Sequence, residues 1–165
     1  MARSGMRAVD ATHPAGMRRI PLEDVDTFLR STLPRLKEAD TALHNGDASP
    51  RGMMWSHKDP VTLFGLALSN QGWGEIGPLF ERLASRFSNC TSFEYDVVAA
   101  GLSGDLAYIV AIEHTTASID GSDPQSYSLR VTQIFRREDG EWKVVHRHAD
   151  AYEPTAERVG AALTR

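Results

Sequence analysis

His57 and Asp59 stand one residue apart in Trp55-Ser56-His57-Lys58-Asp59-Pro60. If that stretch is extended, alternate side chains share a face, and an imidazole beside a carboxylate makes a general acid–base pair. The competing role for Asp59 is that of a helix N-cap for whatever follows Pro60. Trp55, on the same expected face, reads either as a pocket wall or as a core filler. Glu113 interrupts the apolar run Tyr108-Ile109-Val110-Ala111-Ile112. A buried carboxylate there needs a partner, and Arg147 is the candidate, either as a structural ion pair or as part of a pocket. Trp73 and Ile76 lie at the start of an expected helix, as pocket lining or as core.

His146 and His148 form an HxH pair, a spacing that metal sites use, with Asp150 or His114 as the third ligand it would need. Nothing in the spacing demands a metal, so the expectation is none, and no cofactor. Cys90 has no nearby histidine to serve as its base. Arg136 and Arg137 belong to a hairpin tip and read as a solvated turn.

The elements that must position these groups follow from periodicity. Residues 1–19 lack any period and read as a disordered or loosely docked extension. From Ile20-Pro21 onward, Leu22, Val25, Leu29, Leu36 and Leu43 keep one face of a helix, with Phe28 and Leu33 beside them. Pro34 should kink that helix or split it, Ser31-Thr32 capping the second piece. His44-Asn45-Gly46-Asp47 ends it, glycine suiting a left-handed stop. A loop over Ala48 to Gly52 and a short strand over Met54 to Asp59 come next. Gly72-Trp73-Gly74 then leads into a helix carrying Ile76, Phe80, Leu83 and Phe87, with Pro78 in its first turn.

Four strands are expected after Asn89, over Phe93 to Ala100, Asp105 to Ile119, Tyr127 to Arg137 and Glu141 to Ala149. Helices followed by an antiparallel meander define an α+β domain with the helices on one face of the sheet. Residues 20–150 make one domain, and 151–165 a tail or short helix. For the last hairpin, a three-residue turn at Glu138-Asp139-Gly140 sets Ile134 opposite Val144 and Thr132 opposite His146. That register leaves a conflict. The first strand buries Leu129, Val131 and Phe135, whereas the second prefers Trp142 and Val144 on the other face. Both are satisfied if a second subunit covers the outer face, which predicts a homodimer.

The chain has 165 residues, with 18 Lys and Arg against 22 Asp and Glu, a net charge of -4. With a pI near 5.8, nucleic acid is not the expected partner, since such proteins present a basic surface. One cysteine excludes an internal disulfide. No apolar run is long enough to cross a membrane, and no secretory signal pattern opens the chain. The expected location is the cytoplasm.

The runs His44-Asn45-Gly46-Asp47, Asp59-Pro60-Val61, Gly72-Trp73-Gly74, and above all Phe135-Arg136-Arg137-Glu138-Asp139-Gly140-Glu141-Trp142-Lys143-Val144-Val145-His146-Arg147-His148 resemble the SnoaL-like branch of the nuclear transport factor 2-like superfamily. The resemblance spans roughly residues 21 to 150, one domain in length. It implies a cone-shaped fold, a curved antiparallel sheet wrapping the N-terminal helices around a pocket, and a dimer across the sheet.

The superfamily includes ketosteroid isomerases, other lyases and isomerases, and non-catalytic binding modules, so fold alone is a weak guide to chemistry. Asp59 matches the proton-shuttling aspartate of the ketosteroid isomerases, which serve as a standard case of pKa tuning. Their oxyanion tyrosine and second aspartate fall near Ala39 and at Thr132 or Gln133, so neither donor is present. Basic pocket positions of the calmodulin-dependent kinase II association domain fall on Glu113 and Gln133, with Arg147 on the same expected face as Gln133. The resemblance thus implies a small organic ligand held near Glu113, Gln133 and Arg147. Proton transfer on a carbonyl compound is the reaction implied if the protein is catalytic, with Asp59 as base tuned by His57. The alternative is a non-catalytic ligand-binding or dimerisation module.

Overall fold

A computed structural model describes residues 24–152 of the chain. The expected N-terminal extension, and the tail from residue 153 onward, lie outside the described residues. Helix α1 runs Val25–Leu43, and the Asp24 carboxylate caps it by accepting from the Thr27 amide at 2.7 Å. Phe28, Thr32, Leu36, Ala39, Asp40 and Leu43 form its buried stripe. The expected split at Ser31-Thr32 does not occur. Pro34 stays inside one continuous helix, and the Ser31 hydroxyl donates back to the Phe28 carbonyl instead of starting a new segment. The packed stripe on both sides of Pro34 outweighs one missing hydrogen bond.

Helix α2, Ser49–Met54, replaces the expected loop and the beginning of the expected short strand. Pro50 sits in its first turn, the position a helix tolerates best, and the Asp47 side chain accepts from the Ser49 amide at 2.9 Å. Trp55 makes only an isolated bridge to Val144, so Trp55, His57 and Asp59 do not share a strand face. A six-residue alternation was too short to separate strand from helix here.

Two short strands that the sequence reading omitted follow, β1 (Thr62–Gly65) and β2 (Leu68–Gln71). Helix α3 covers Trp73–Ala84, with Ile76, Leu79, Phe80 and Ala84 buried. Its Pro78 lies in the second turn rather than the first, and Phe87 opens the next strand instead of ending the helix.

The four long strands are β3 (Phe87–Ser103), β4 (Leu106–Ile119), β5 (Gln125–Glu138) and β6 (Glu141–Ala151). The sheet order is β2-β1-β6-β5-β4-β3. All pairs are antiparallel except β1 beside β6, so the sheet is mixed where an antiparallel one was expected. The sheet is curved and open, and β3 carries irregularities between Ser88 and Ser92 and between Val97 and Ala99. Bulges of this kind bend a strand and raise its twist.

The last hairpin corrects the expected register. Glu138 pairs with Glu141, leaving a two-residue turn in which Asp139 and Gly140 both have positive φ, 51° and 84°. That is the demand of a type I′ turn. Phe135 therefore faces Val144, and Arg137 faces Trp142. Beyond them Val145 is an extra residue, because Ile134 next pairs with His146. The bulge flips the alternation of β6, so that Trp142 and Val144 before it and Arg147 and Ala149 after it all face inward with Val131, Gln133 and Phe135. The face conflict disappears, and the dimer inferred from it loses that support. Phe28 closes this end of the core, edge-on to Phe135 at 5.3 Å and to Trp142 at 5.2 Å.

Candidate functional site

A cavity of about 270 Å³ lies between the end of α1, helices α2 and α3, the β1–β2 hairpin and the inner face of β4, β5 and β6. Leu43, Leu63, Phe64, Leu68, Phe80 and Leu129 form much of its apolar wall. His44, Arg51, Glu113, Thr115, Tyr127 and Arg147 supply its polar lining.

Strand alternation explains how Glu113 arrives there. From Ala107 to Ala117 the buried positions of β4 are Ala107, Ile109, Ala111, Glu113, Thr115 and Ala117, every second residue of one strand. Arg147 reaches the same face of β6 because of the Val145 bulge. The two residues are separated by β5, and only long side chains span that gap. The Arg147 guanidinium donates to both Glu113 oxygens, at 2.5 and 2.7 Å. Burial alone would raise the Glu113 pKa, but the facing guanidinium outweighs it and holds the carboxyl below its usual range. Burial likewise opposes the charge on Arg147, and Glu113 restores it.

A second ion pair lies alongside. Asp40, 1% exposed, binds the Arg51 guanidinium, and Tyr95 O–H donates to the other Asp40 oxygen. Gln133 is 2% exposed and packs beneath this network; its side-chain nitrogen has no hydrogen-bond partner among the described residues.

His44 joins the polar lining from the C-cap of α1. Its Nδ1 lies 2.7 Å from the Asp40 carbonyl oxygen, which can only accept, so Nδ1 carries the proton. Nε2 is then the acceptor for Tyr127 O–H, at 2.7 Å. Burial lowers the His44 pKa to about 4 and raises that of Tyr127 to about 12. Phe87 packs on the imidazole at 4.3 Å and Phe93 at 5.4 Å.

The residues singled out in the sequence divide into two groups. Glu113 and Arg147 line the cavity as a pair, and Gln133 lies just beneath. Asp59 and His57 do not line it. The Asp59 carboxylate is exposed and accepts from the Trp73 amide at 3.1 Å, capping α3 across 14 residues of chain. His57 is exposed, stacks on Trp73 at 3.8 Å, and places Nε2 3.0 Å from the Gly52 carbonyl oxygen. Trp55 and Ile76 are core residues, 2% and 0% exposed, and Trp73 faces an outer groove.

His146 bonds Thr62 at 2.7 Å, and His148 lies 3.3 Å from Asp150. Among the described residues no group of three His, Cys, Asp or Glu side chains is arranged to hold a metal ion. No helix among them is long and apolar enough to cross a membrane.

Asp40, His44, Arg51, Tyr95 and Tyr127 were not singled out as site residues by the sequence reading. One signal was available. Asp40 and His44 are spaced i, i+4 on the same stripe as Leu36 and Leu43, and polar groups on an apolar stripe need buried partners.

The chain thus has an α+β fold with a polar-floored cavity between its helices and its sheet. The model of the SnoaL-like domain matches residues 36–151, and the chain belongs to that family. Comparison with curated proteins finds no match.

Among solved structures, a nuclear transport factor 2-like superfamily protein from Salmonella enterica is 15% identical. The similarity covers 78% of this chain and 91% of that one, with a TM-score of 0.61. A candidate dehydratase of the same superfamily from Streptomyces avermitilis is 16% identical, over 78% and 98% of the two chains, with a TM-score of 0.59. A candidate ketosteroid isomerase from Parabacteroides distasonis is 16% identical, over 83% and 95%, with a TM-score of 0.58. At these identities the likeness concerns the fold.

Proposed function

We propose that this SnoaL-like protein is a cytoplasmic binder of a small, largely apolar organic molecule, held in the cavity with its polar end toward Tyr127, Glu113 and Arg147. The observation that carries the reading is the apolar cavity set over a polar floor whose charged groups are already ordered by one another. Ligand pockets have this composition, with apolar walls and a few placed polar groups.

Proton transfer on a carbonyl compound, as in an isomerase or lyase, is a second reading, and the His44–Tyr127 hydrogen bond favours it. Tyr127 would exchange a proton with the substrate oxygen, and His44 Nε2 would take or return it. With pKa values of about 4 and about 12, moving the proton from tyrosine to histidine in the empty site costs on the order of 10 kcal/mol before the new charges attract. That cost weighs for binding over turnover unless a bound substrate changes the balance.

The outer face of the sheet carries Tyr108 and Ile134 as exposed cross-strand neighbours. That apolar pair supports a homodimer across this face, with oligomeric mass by light scattering as its test.

The test of binding is a thermal-shift screen of small ketones, alcohols and carboxylates, followed by calorimetry. A variant filling the cavity, Leu129→Trp, should abolish the response to any hit, while Asp59→Asn should leave it intact. A hit that responds equally in wild type and Leu129→Trp would remove the cavity as the binding site. If a hit is turned over, Tyr127→Phe should stop turnover while binding persists.

A further inference from the structure

The cavity holds two guanidinium groups at its polar end, which at first suggests a site for an anion. The hydrogen bonding argues the opposite. Both terminal nitrogens of Arg147 are occupied by the two Glu113 oxygens, at 2.5 and 2.7 Å. Arg51 is joined through one terminal nitrogen to Asp40, its Nε has no hydrogen-bond partner among the described residues, and its side chain is 9% exposed. Arg147 and Glu113 are 9% and 3% exposed at their side chains. His44, the other ionisable nitrogen base at the wall, has its Nδ1 proton committed to a carbonyl and its Nε2 lone pair to Tyr127. Among the described residues, the lining therefore presents two cations already matched by two carboxylates. A carboxylate or phosphate entering this space would lose its water and meet only cations that already have a carboxylate partner, which is a costly transfer. An ammonium group meets the same obstacle with the sign reversed.

We infer that Glu113 sets the charge specificity of the cavity: by occupying Arg147 it makes the site select uncharged ligands over their carboxylate counterparts. This deepens the binding reading and rests on it. The geometry gives Glu113 a definite effect. With a carboxamide at position 113, Arg147 keeps its fork-shaped donors at the floor of an apolar cavity and lacks an anion. A ligand carboxylate then takes the place of the side-chain carboxylate, in the bidentate geometry that guanidinium groups favour.

The experiment uses the full chain and near-isosteric probe pairs: acetophenone with benzoate, and 2-acetylnaphthalene with 2-naphthoate. Dissociation constants are measured by calorimetry and ligand-observed NMR at pH 7.5 in low-chloride buffer. Wild type is expected to bind each ketone at least ten-fold more tightly than its carboxylate partner. Glu113→Gln is expected to gain at least ten-fold for the carboxylates, so that benzoate raises its melting temperature by more than it raises that of wild type. The double variant Glu113→Gln/Arg147→Gln removes both charges, avoids an unpaired buried guanidinium, and is expected to keep the wild-type preference for ketones.

A wild type that binds the carboxylates as well as the ketones overturns the inference while leaving the binding site in place. So does a Glu113→Gln protein that folds without gaining carboxylate affinity. If Glu113→Gln does not fold, the wild-type ratio and the double variant decide: a double variant preferring carboxylates overturns it. Wild type that binds neither member of either pair removes the cavity reading, and this inference with it.

Discussion

Acidification should destabilise this fold through His44, and the size of the effect follows from its surroundings. The imidazole is 7% exposed and fully engaged as a neutral ring, Nδ1–H to the Asp40 carbonyl and Nε2 to Tyr127 O–H. Burial lowers its pKa from 6.5 to about 4. Above pH 6.5 the ring is neutral in both folded and unfolded chains and exacts no penalty. Between 6.5 and 4 the unfolded chain takes up a proton that the folded chain refuses, so stability falls with falling pH. Below 4 both states are protonated and the loss levels off. The full shift corresponds to about 3 kcal/mol, and about 2 kcal/mol of it has been lost by pH 5.

The assay is urea unfolding of wild type and His44→Gln at pH 8, 6.5 and 5, at one ionic strength. Glutamine can keep one donor and one acceptor at this position, but does not titrate. Every other group contributes its own pH dependence to both proteins, including His146, which burial and then the neighbouring His148 also shift downward. The stability advantage of wild type over the variant should therefore shrink by about 2 kcal/mol between pH 8 and 5. Parallel curves for the two proteins across that range would refute the buried neutral histidine.

Three further changes probe the frame that holds the site. Phe28→Ala removes the ring packed edge-on against Phe135 and Trp142 and should cost about 3–5 kcal/mol in denaturant unfolding. Gly65 has a φ of +131°, and a methyl group there would overlap the Ala149 carbonyl. Gly65→Ala should thus disrupt the β1–β6 contact at the cavity wall, seen as lost amide protection in β1 and a lower melting temperature. Asp59→Ala removes the carboxylate that caps α3 and should cost about 1 kcal/mol of stability, with ligand affinity unchanged in calorimetry. A loss of binding in Asp59→Ala without loss of stability would return this residue to the site.

Much of the architecture was readable from local pattern. The face of Val25, Leu29, Leu36 and Leu43, with Phe28 beside it, announced α1, although Phe28 rather than Leu29 is the buried position; the Ile76–Phe80–Leu83 spacing announced α3. The long runs of β-branched and aromatic residues announced four strands, three of them within two residues of their ends, while β3 begins at Phe87, well before the expected Phe93. Glu113 and Arg147 were also legible as a pair, because a carboxylate inside an apolar strand has few tolerable neighbours. The alternation of Trp55, His57 and Asp59 was misleading. Over so short a stretch it cannot distinguish a strand from the end of a helix followed by an irregular loop.

The sequence by itself therefore determined the α+β class, its family and the need for a partner at Glu113, since each follows from periodicity, from extended motifs or from the cost of burying charge. Only the tertiary structure decided which groups share the cavity. His44, Arg51, Thr115 and Tyr127 come from the end of α1, from α2, β4 and β5, and no spacing along the chain encodes their meeting. It also decided that Trp142 and Val144 share the face of Arg147. One extra residue at Val145 turns the remainder of β6 over, and a side-chain period of two makes every inward or outward assignment depend on that single count.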